Sequence, residues 1–162
     1  VADREMRWLD DSEQRSWRAL LMGVTLLLDR LDDDLQESFD LSMVEYEILV
    51  RLSESDGRMR MARLADGLAH SRSRVTHTIK RMEKAHLVRR EASTEDGRGI
   101  VAVMTPAGRE LLVRAAPVHV QGVRDHLVDL VSAEDFAAVG RVMNTVADHL
   151  VGAHPEREMR EI

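Results

Sequence analysis

Cysteine is absent from the 162 residues, and that absence removes disulfides, thiolate metal sites and thiol-based redox sensing together. It agrees with a reducing, cytoplasmic setting. Aromatic residues make up only 3%, so packing has to rest on Leu, Val, Ala and Met, a composition that favours helices over a β-sandwich. The longest apolar run, Ala19 to Leu28, contains Gly23 and Thr25 and is bounded by Arg18 and Asp29. It falls far short of the roughly 20 residues that cross a bilayer, so neither a membrane segment nor a secretory signal is expected. Also missing are a nucleophile, base and orienting group at workable spacing, a phosphate-cradling glycine loop and a metal motif. No enzyme chemistry and no cofactor are therefore expected. The seven His are scattered; His119 and His126, at i and i+7, are too few for a metal site. Asp32, Asp33 and Asp34 read as a solvated helix end, because consecutive helical residues point in different directions.

What is present is charge, 32% of residues, unevenly placed. The chain carries a net charge of −6, yet Gly57 to Arg109 holds 12 Lys and Arg against 5 Asp and Glu, a net of +7. The remainder holds 11 basic against 24 acidic residues, a net of −13. A basic centre between acidic ends suggests that the middle meets a polyanion.

At that centre, Ser71 to Val88 reads as a helix with Val75, Ile79 and Met82 on its buried side. Ser73, Arg74, Thr76, His77, Lys80 and Arg81 occupy the remaining arc, a surface suited to base edges and phosphates. Ser71 is its expected N-cap, and the positive helix start adds to the attraction for phosphate. An ordinary amphipathic surface helix would look the same in isolation. The flanking segments decide between the two. Upstream, Ala62 to Ala69 reads as a short helix with Leu64, Ala65 and Leu68 inward, and a turn at His70 and Ser71 makes the pair a helix-turn-helix. Downstream the period changes to 2. Val88 to Ala92 and Ile100 to Met104 read as strands, with Gly97 and Gly99 permitting a tight turn between them, so the motif is winged. Arg98 at the wing tip has the reach to enter a minor groove, held by Asp96; the plain alternative is a surface turn ion pair.

The rest is helical. Asp10 with Glu13 caps a long helix whose apolar stripe runs through Trp17, Leu20, Leu21, Val24, Leu27, Leu28, Leu31 and Leu35. Ser42 with Glu45 caps a second, Met43 to Glu54, and Arg58 to Met61 reads as a short extended piece after Asp56 and Gly57. Thr105 and Pro106 open a helix expected to continue toward Leu130 with a kink at Pro117. Ser132 and Asp135 open the last, with Phe136, Val139, Met143, Val146 and Leu150 at helical spacing. The stripes of the first and last helices exceed what a small winged helix can cover, which points to burial against a second copy.

Leu64-Ala65, Ser71 through Met82, Leu87-Val88-Arg89-Arg90, Asp96-Gly97-Arg98-Gly99 and Thr105-Pro106-Ala107-Gly108, in that order and spacing, resemble the MarR family of bacterial transcription regulators over nearly the whole chain. The resemblance implies a mainly α fold with a small β-hairpin wing, divided into an N-terminal dimerisation helix (10–40), a winged helix-turn-helix lobe (41–105), C-terminal dimerisation helices (106–152) and a polar tail (153–162). It implies a homodimer on double-stranded DNA, a repressor at an inverted-repeat operator, often released by a small aromatic effector held between the dimerisation helices and the DNA-binding lobe. By position, Ser73, Arg74, Thr76 and His77 would read bases and Arg98 the minor groove. Arg58, Arg60, Ser71, Arg72, Lys80 and Arg81 would contact phosphates. Trp17 and Tyr46 are the aromatics placed to line an effector pocket, or else are core or dimer packing. The reading from another class is a winged-helix protein-interaction module or co-regulator without its own DNA site.

Overall fold

The computed structural model describes residues 6–93 and 99–152. Six α-helices and three short strands follow in the order α1 (Asp11–Phe39), α2 (Met43–Glu54), β1 (Arg58–Arg60), α3 (Met61–Gly67), α4 (Arg72–Lys84), β2 (Val88–Ala92), β3 (Ile100–Met104), α5 (Pro106–His126) and α6 (Ala133–Gly152), with a 3-10 turn at Val128–Leu130 before the last. The helix starts are chemically specified. Asp10 accepts from the backbone of Ser12 and Glu13 at 2.8 Å each, and Glu13 returns a bond from the Asp10 N–H at 2.9 Å. Ser42 and Glu45 form the same reciprocal box on α2. Ser71, Thr105 and Ser132 each accept from an N–H three residues on, at 3.3, 3.0 and 3.1 Å.

Two helices stop sooner than their apolar spacing implies. α4 closes at Lys84 because His86 takes a left-handed φ of 58° and the Leu87 N–H turns back to the Met82 carbonyl at 2.9 Å. α3 closes the same way through Ala69, φ 52°, with His70 N–H bonded to the Ala65 carbonyl at 3.1 Å. Both are helix ends of the Schellman kind with a residue other than glycine at the left-handed position. α5 passes through Pro117 and ends at His126, short of Leu130.

The sheet is larger than a hairpin. β2 and β3 pair antiparallel with Arg90 opposite Ala102, and β1 joins the far side of β3 with Met59 opposite Ala102, giving the order β1-β3-β2. The extended piece after Gly57 is therefore a third strand. Its partner lies more than forty residues away, and three residues carry too little alternation to announce the pairing.

One core binds these pieces. Ile48, Leu49 and Leu52 of α2, Leu64 and Ala65 of α3, and Val75, Ile79 and Met82 of α4 are fully buried, with Leu35 of α1, Ala102 of β3 and Ala115 of α5 closing the cluster. α5 is seated by a close approach: a Cβ on Gly108 would lie 2.2 Å from the Leu87 carbonyl oxygen. Thr105 fastens the same joint, its Oγ1 lying 2.7 Å from the His86 carbonyl oxygen. The Thr105-Pro106-Ala107-Gly108 stretch thus locks α5 onto the turn between α4 and β2.

Two surfaces stay open. Only Leu31 and Leu35 of α1 are buried, while Trp17, Leu20, Leu21, Val24 and Leu28 are exposed. α6 has no buried residue among those described, and Phe136, Val139, Val142, Val146 and Leu150 lie open along it.

Candidate nucleic-acid interface

α4 presents the face that its sequence predicts. With Val75, Thr78, Ile79 and Met82 inward, Arg72, Ser73, Arg74, His77 and Lys80 are exposed and Thr76 is half-buried. Not every hydroxyl on this face is available as a donor. Thr76 Oγ1 donates to the Arg72 carbonyl at 2.7 Å, so its proton is committed to the helix and it offers a lone pair and a methyl outward. Ser71 and Ser73 share a bond of 3.1 Å between their hydroxyls at the helix start.

The sheet places a second set of cations beside α4. Arg58 is exposed on β1 and lies 3.8 Å from Glu91 of β2, which Arg89 also pairs with. Arg60 is half-buried and occupies the N-cap position of α3. Asp96 and Arg98, the expected wing-tip pair, lie outside the described residues.

Two ion pairs that sequence reasoning missed fix this surface to the body. Glu83 of α4 accepts from the Arg90 backbone N–H and Nε on β2, both at 2.9 Å. Those bonds hold its carboxyl below the usual carboxylate range. Arg81, also exposed on this face, donates from Nε to Glu45 of α2 at 2.7 Å, and this bond raises its pKa. The partners are 36 residues apart, a separation to which no periodicity refers.

The two aromatic pocket candidates are not brought together within the chain. Tyr46 is buried, its ring 4.6 Å from that of His119 on α5, at a cavity of about 300 Å³ also lined by Met43, Glu47, Val50, Arg51 and Glu54. Trp17 is exposed on α1, four helical turns before its buried Leu31. Burial lowers the pKa of His119 and raises that of Glu47, and His119 Nδ1 has no hydrogen-bond partner among the described residues. His126 goes elsewhere, its Nε2 3.9 Å from Asp34. Among the described residues no group of three His, Asp or Glu could hold a metal ion, and no helix is long and apolar enough to cross a membrane.

A short supporting helix, a capped helix with an exposed cationic face and a flanking antiparallel sheet define a winged helix-turn-helix protein. The MarR family model matches residues 41–100, the stretch from the start of α2 to the start of β3. The chain is 48% identical to AbsC, a MarR family transcriptional regulator from Streptomyces coelicolor, covering 91% of this chain and 99% of that one with a TM-score of 0.86. Sco3205, a MarR family transcriptional regulator from the same organism solved in complex with DNA, is 41% identical, over 91% of this chain and 93% of that one, with a TM-score of 0.87. The HTH-type transcriptional regulator PecS of Dickeya dadantii (strain 3937) is 28% identical over 158 residues, 93% of this chain and 95% of PecS. The chain belongs to the MarR family: it is a winged-helix transcriptional regulator and not an enzyme.

Proposed function

We propose that the protein is a homodimeric repressor that binds an inverted-repeat operator in duplex DNA and leaves it when a small aromatic effector binds. The observation that carries the DNA-binding part is the exposed face of α4, where Arg72, Ser73, Arg74, His77 and Lys80 stand together on a rigid, capped helix inside the segment of net charge +7. Ser73, Arg74, Thr76 and His77 read base edges in the major groove. Arg58, Arg60, Ser71, Arg72 and Lys80 hold phosphates, and Arg98, steadied by Asp96, reads the minor groove. Residues 41–105 form the DNA-binding lobe; 10–40 and 106–152 pair with a second copy.

The open apolar faces of α1 and α6 support the dimer, since apolar helix faces left uncovered within one copy need tertiary cover. A two-fold pair sets two reading heads about one duplex turn apart, roughly 34 Å, and so selects a site with the same symmetry. The cavity beside Tyr46 and His119, between α2 and α5, supports an effector at the joint of the two regions.

The test is binding of the full chain to the DNA upstream of its own coding region, followed by fluorescence anisotropy across a salt series. Nanomolar affinity for an inverted repeat there, falling steeply with salt, is expected. Arg98→Ala should weaken it. Undiminished affinity in that variant removes the wing role, and a wild-type chain indifferent to duplex DNA even at low salt removes the whole reading.

A further inference from the structure

Arg81 lies on the reading helix with a side chain that is 59% exposed, yet its guanidinium is bonded to the start of α2. Besides the 2.7 Å bond from Nε to Glu45 Oε1, its Nη2 donates to Ser42 Oγ at 3.0 Å. Glu45 is 5% exposed, and its other oxygen accepts from the Ser42 N–H at 3.0 Å and the Ser42 hydroxyl at 2.8 Å. The capping box that starts α2 therefore has a third member, supplied by α4. The same turn is held by α1 as well, where Asp32 accepts from the Met43 N–H at 2.6 Å.

This surrounding competes with a phosphate for the guanidinium. Two of the five guanidinium N–H donors are already bonded, and the carboxylates of Glu45, Asp40 and Asp32 all act on the one cation. These carboxylates offset the cation that a DNA phosphate would meet at Arg81. The buried carboxylate, in turn, needs its cation: without Arg81, Glu45 would keep a charge in the interior with no ion-pair partner.

We infer that Arg81 is a positioning residue for DNA reading: through Glu45 and Ser42 it sets the angle of α4 against α2, and it makes no phosphate contact. The inference rests on the DNA-reading role of α4 given above. It assigns to Glu45, which is too deep to touch DNA, an effect on operator affinity. It also links α1 to the reading helix in two steps, Asp32 to the first turn of α2 and that turn to Arg81.

The experiment compares Arg81→Lys, Arg81→Met, Glu45→Gln and the Arg81→Met/Glu45→Gln double variant with Lys80→Met as the phosphate control. Each full-length protein is titrated with the operator and with a scrambled duplex over a salt series, and amide exchange of α4 is followed in the free protein. Arg81→Lys keeps the charge but lacks the two-pronged geometry. It and Glu45→Gln should each lose about tenfold or more in operator affinity, lose discrimination against the scrambled duplex, and exchange faster in α4. Their log K against log salt slope should stay that of wild type. The double variant should bind no worse than Arg81→Met alone, because the neutral amide no longer needs a cation. Lys80→Met should instead flatten the slope, by about 1.8 for two phosphates per dimer.

The inference is overturned if Arg81→Lys binds like wild type, if Glu45→Gln has no effect, or if Arg81→Met flattens the slope as Lys80→Met does. Should Arg81→Met or the double variant not fold, Arg81→Lys and Glu45→Gln decide it. Wild-type protein that binds no duplex overturns the DNA-reading role and this inference together; wild-type binding with an Arg81 variant behaving as the lysine control overturns this inference alone.

Discussion

His86 sits at the left-handed position that ends α4, with φ 58°, where a Cβ crowds the following carbonyl. Replacing it with glycine removes that crowding while keeping the Leu87 to Met82 bond. His86→Gly should stabilise the protein by about 1 kcal/mol and raise the melting temperature by roughly 2 to 4 °C; a lower melting temperature would show that the imidazole does something the backbone does not reveal. His119 bears on pH. Burial holds its folded-state pKa below the ordinary value of about 6.5. Its contribution is therefore complete above that value and is lost as pH falls from there toward the folded-state pKa, since the unfolded chain then binds the proton more readily. Glu47, on the same cavity and raised by burial, works in the opposite sense above its ordinary value. The difference between wild type and His119→Phe isolates the imidazole: the phenylalanine variant keeps a ring against Tyr46 and should lose less melting temperature between pH 7 and 5.

Most element boundaries could be read from caps and periods, because those signals are local. Asp10 with Glu13, Ser42 with Glu45, Ser71, and Thr105 with Pro106 each mark a helix start where the structure has one, and β2 and β3 have the bounds that alternation implies. The third strand and the ends of α3 and α4 were not legible in the same way. β1 exists because Met59 and its neighbours pair across space with β3, and the helix ends depend on Ala69 and His86, neither of which is the glycine that would have signalled them. The joint between reading helix and wing is likewise non-local. Glu83 grips both the backbone and the side chain of Arg90, each partner about a quarter exposed. Glu83→Ala should cost about 1 kcal/mol in chemical denaturation, discounted for that exposure. The clamp acts above the usual carboxylate pKa and is lost as pH falls through the depressed value, so wild type and variant should converge in strong acid.

For the whole molecule the decisive feature is what one copy leaves open. α6 contributes no described residue to the core, and most of α1 is in the same position. Such helices are stable only when something covers them, and the proposed cover is the second copy. Val139→Asp, placed at an open apolar position of α6, should convert a dimer to a monomer in analytical ultracentrifugation. The monomer should bind an inverted repeat at least a hundredfold more weakly, because the second half-site is no longer held at high effective concentration. A dimer that survives the substitution would move the interface elsewhere on the molecule.

Periodicity, capping chemistry and charge segregation determined the winged helix-turn-helix, its cationic reading face and the apolar stripes that need a partner, since each is written in residues within a few positions of one another. The cavity beside Tyr46 shows where that stops: Tyr46 lies beside His119 and away from Trp17, although the sequence puts Trp17 nearer. The pairing of Arg81 with Glu45 is the sharper case, because nothing local announces that a buried carboxylate from another helix arrives beside a cation on an exposed arc. Proximity between distant segments is set by how the core closes around Ile48, Val75 and Ile79, and that geometry alone decided which cations of α4 meet a carboxylate from another element.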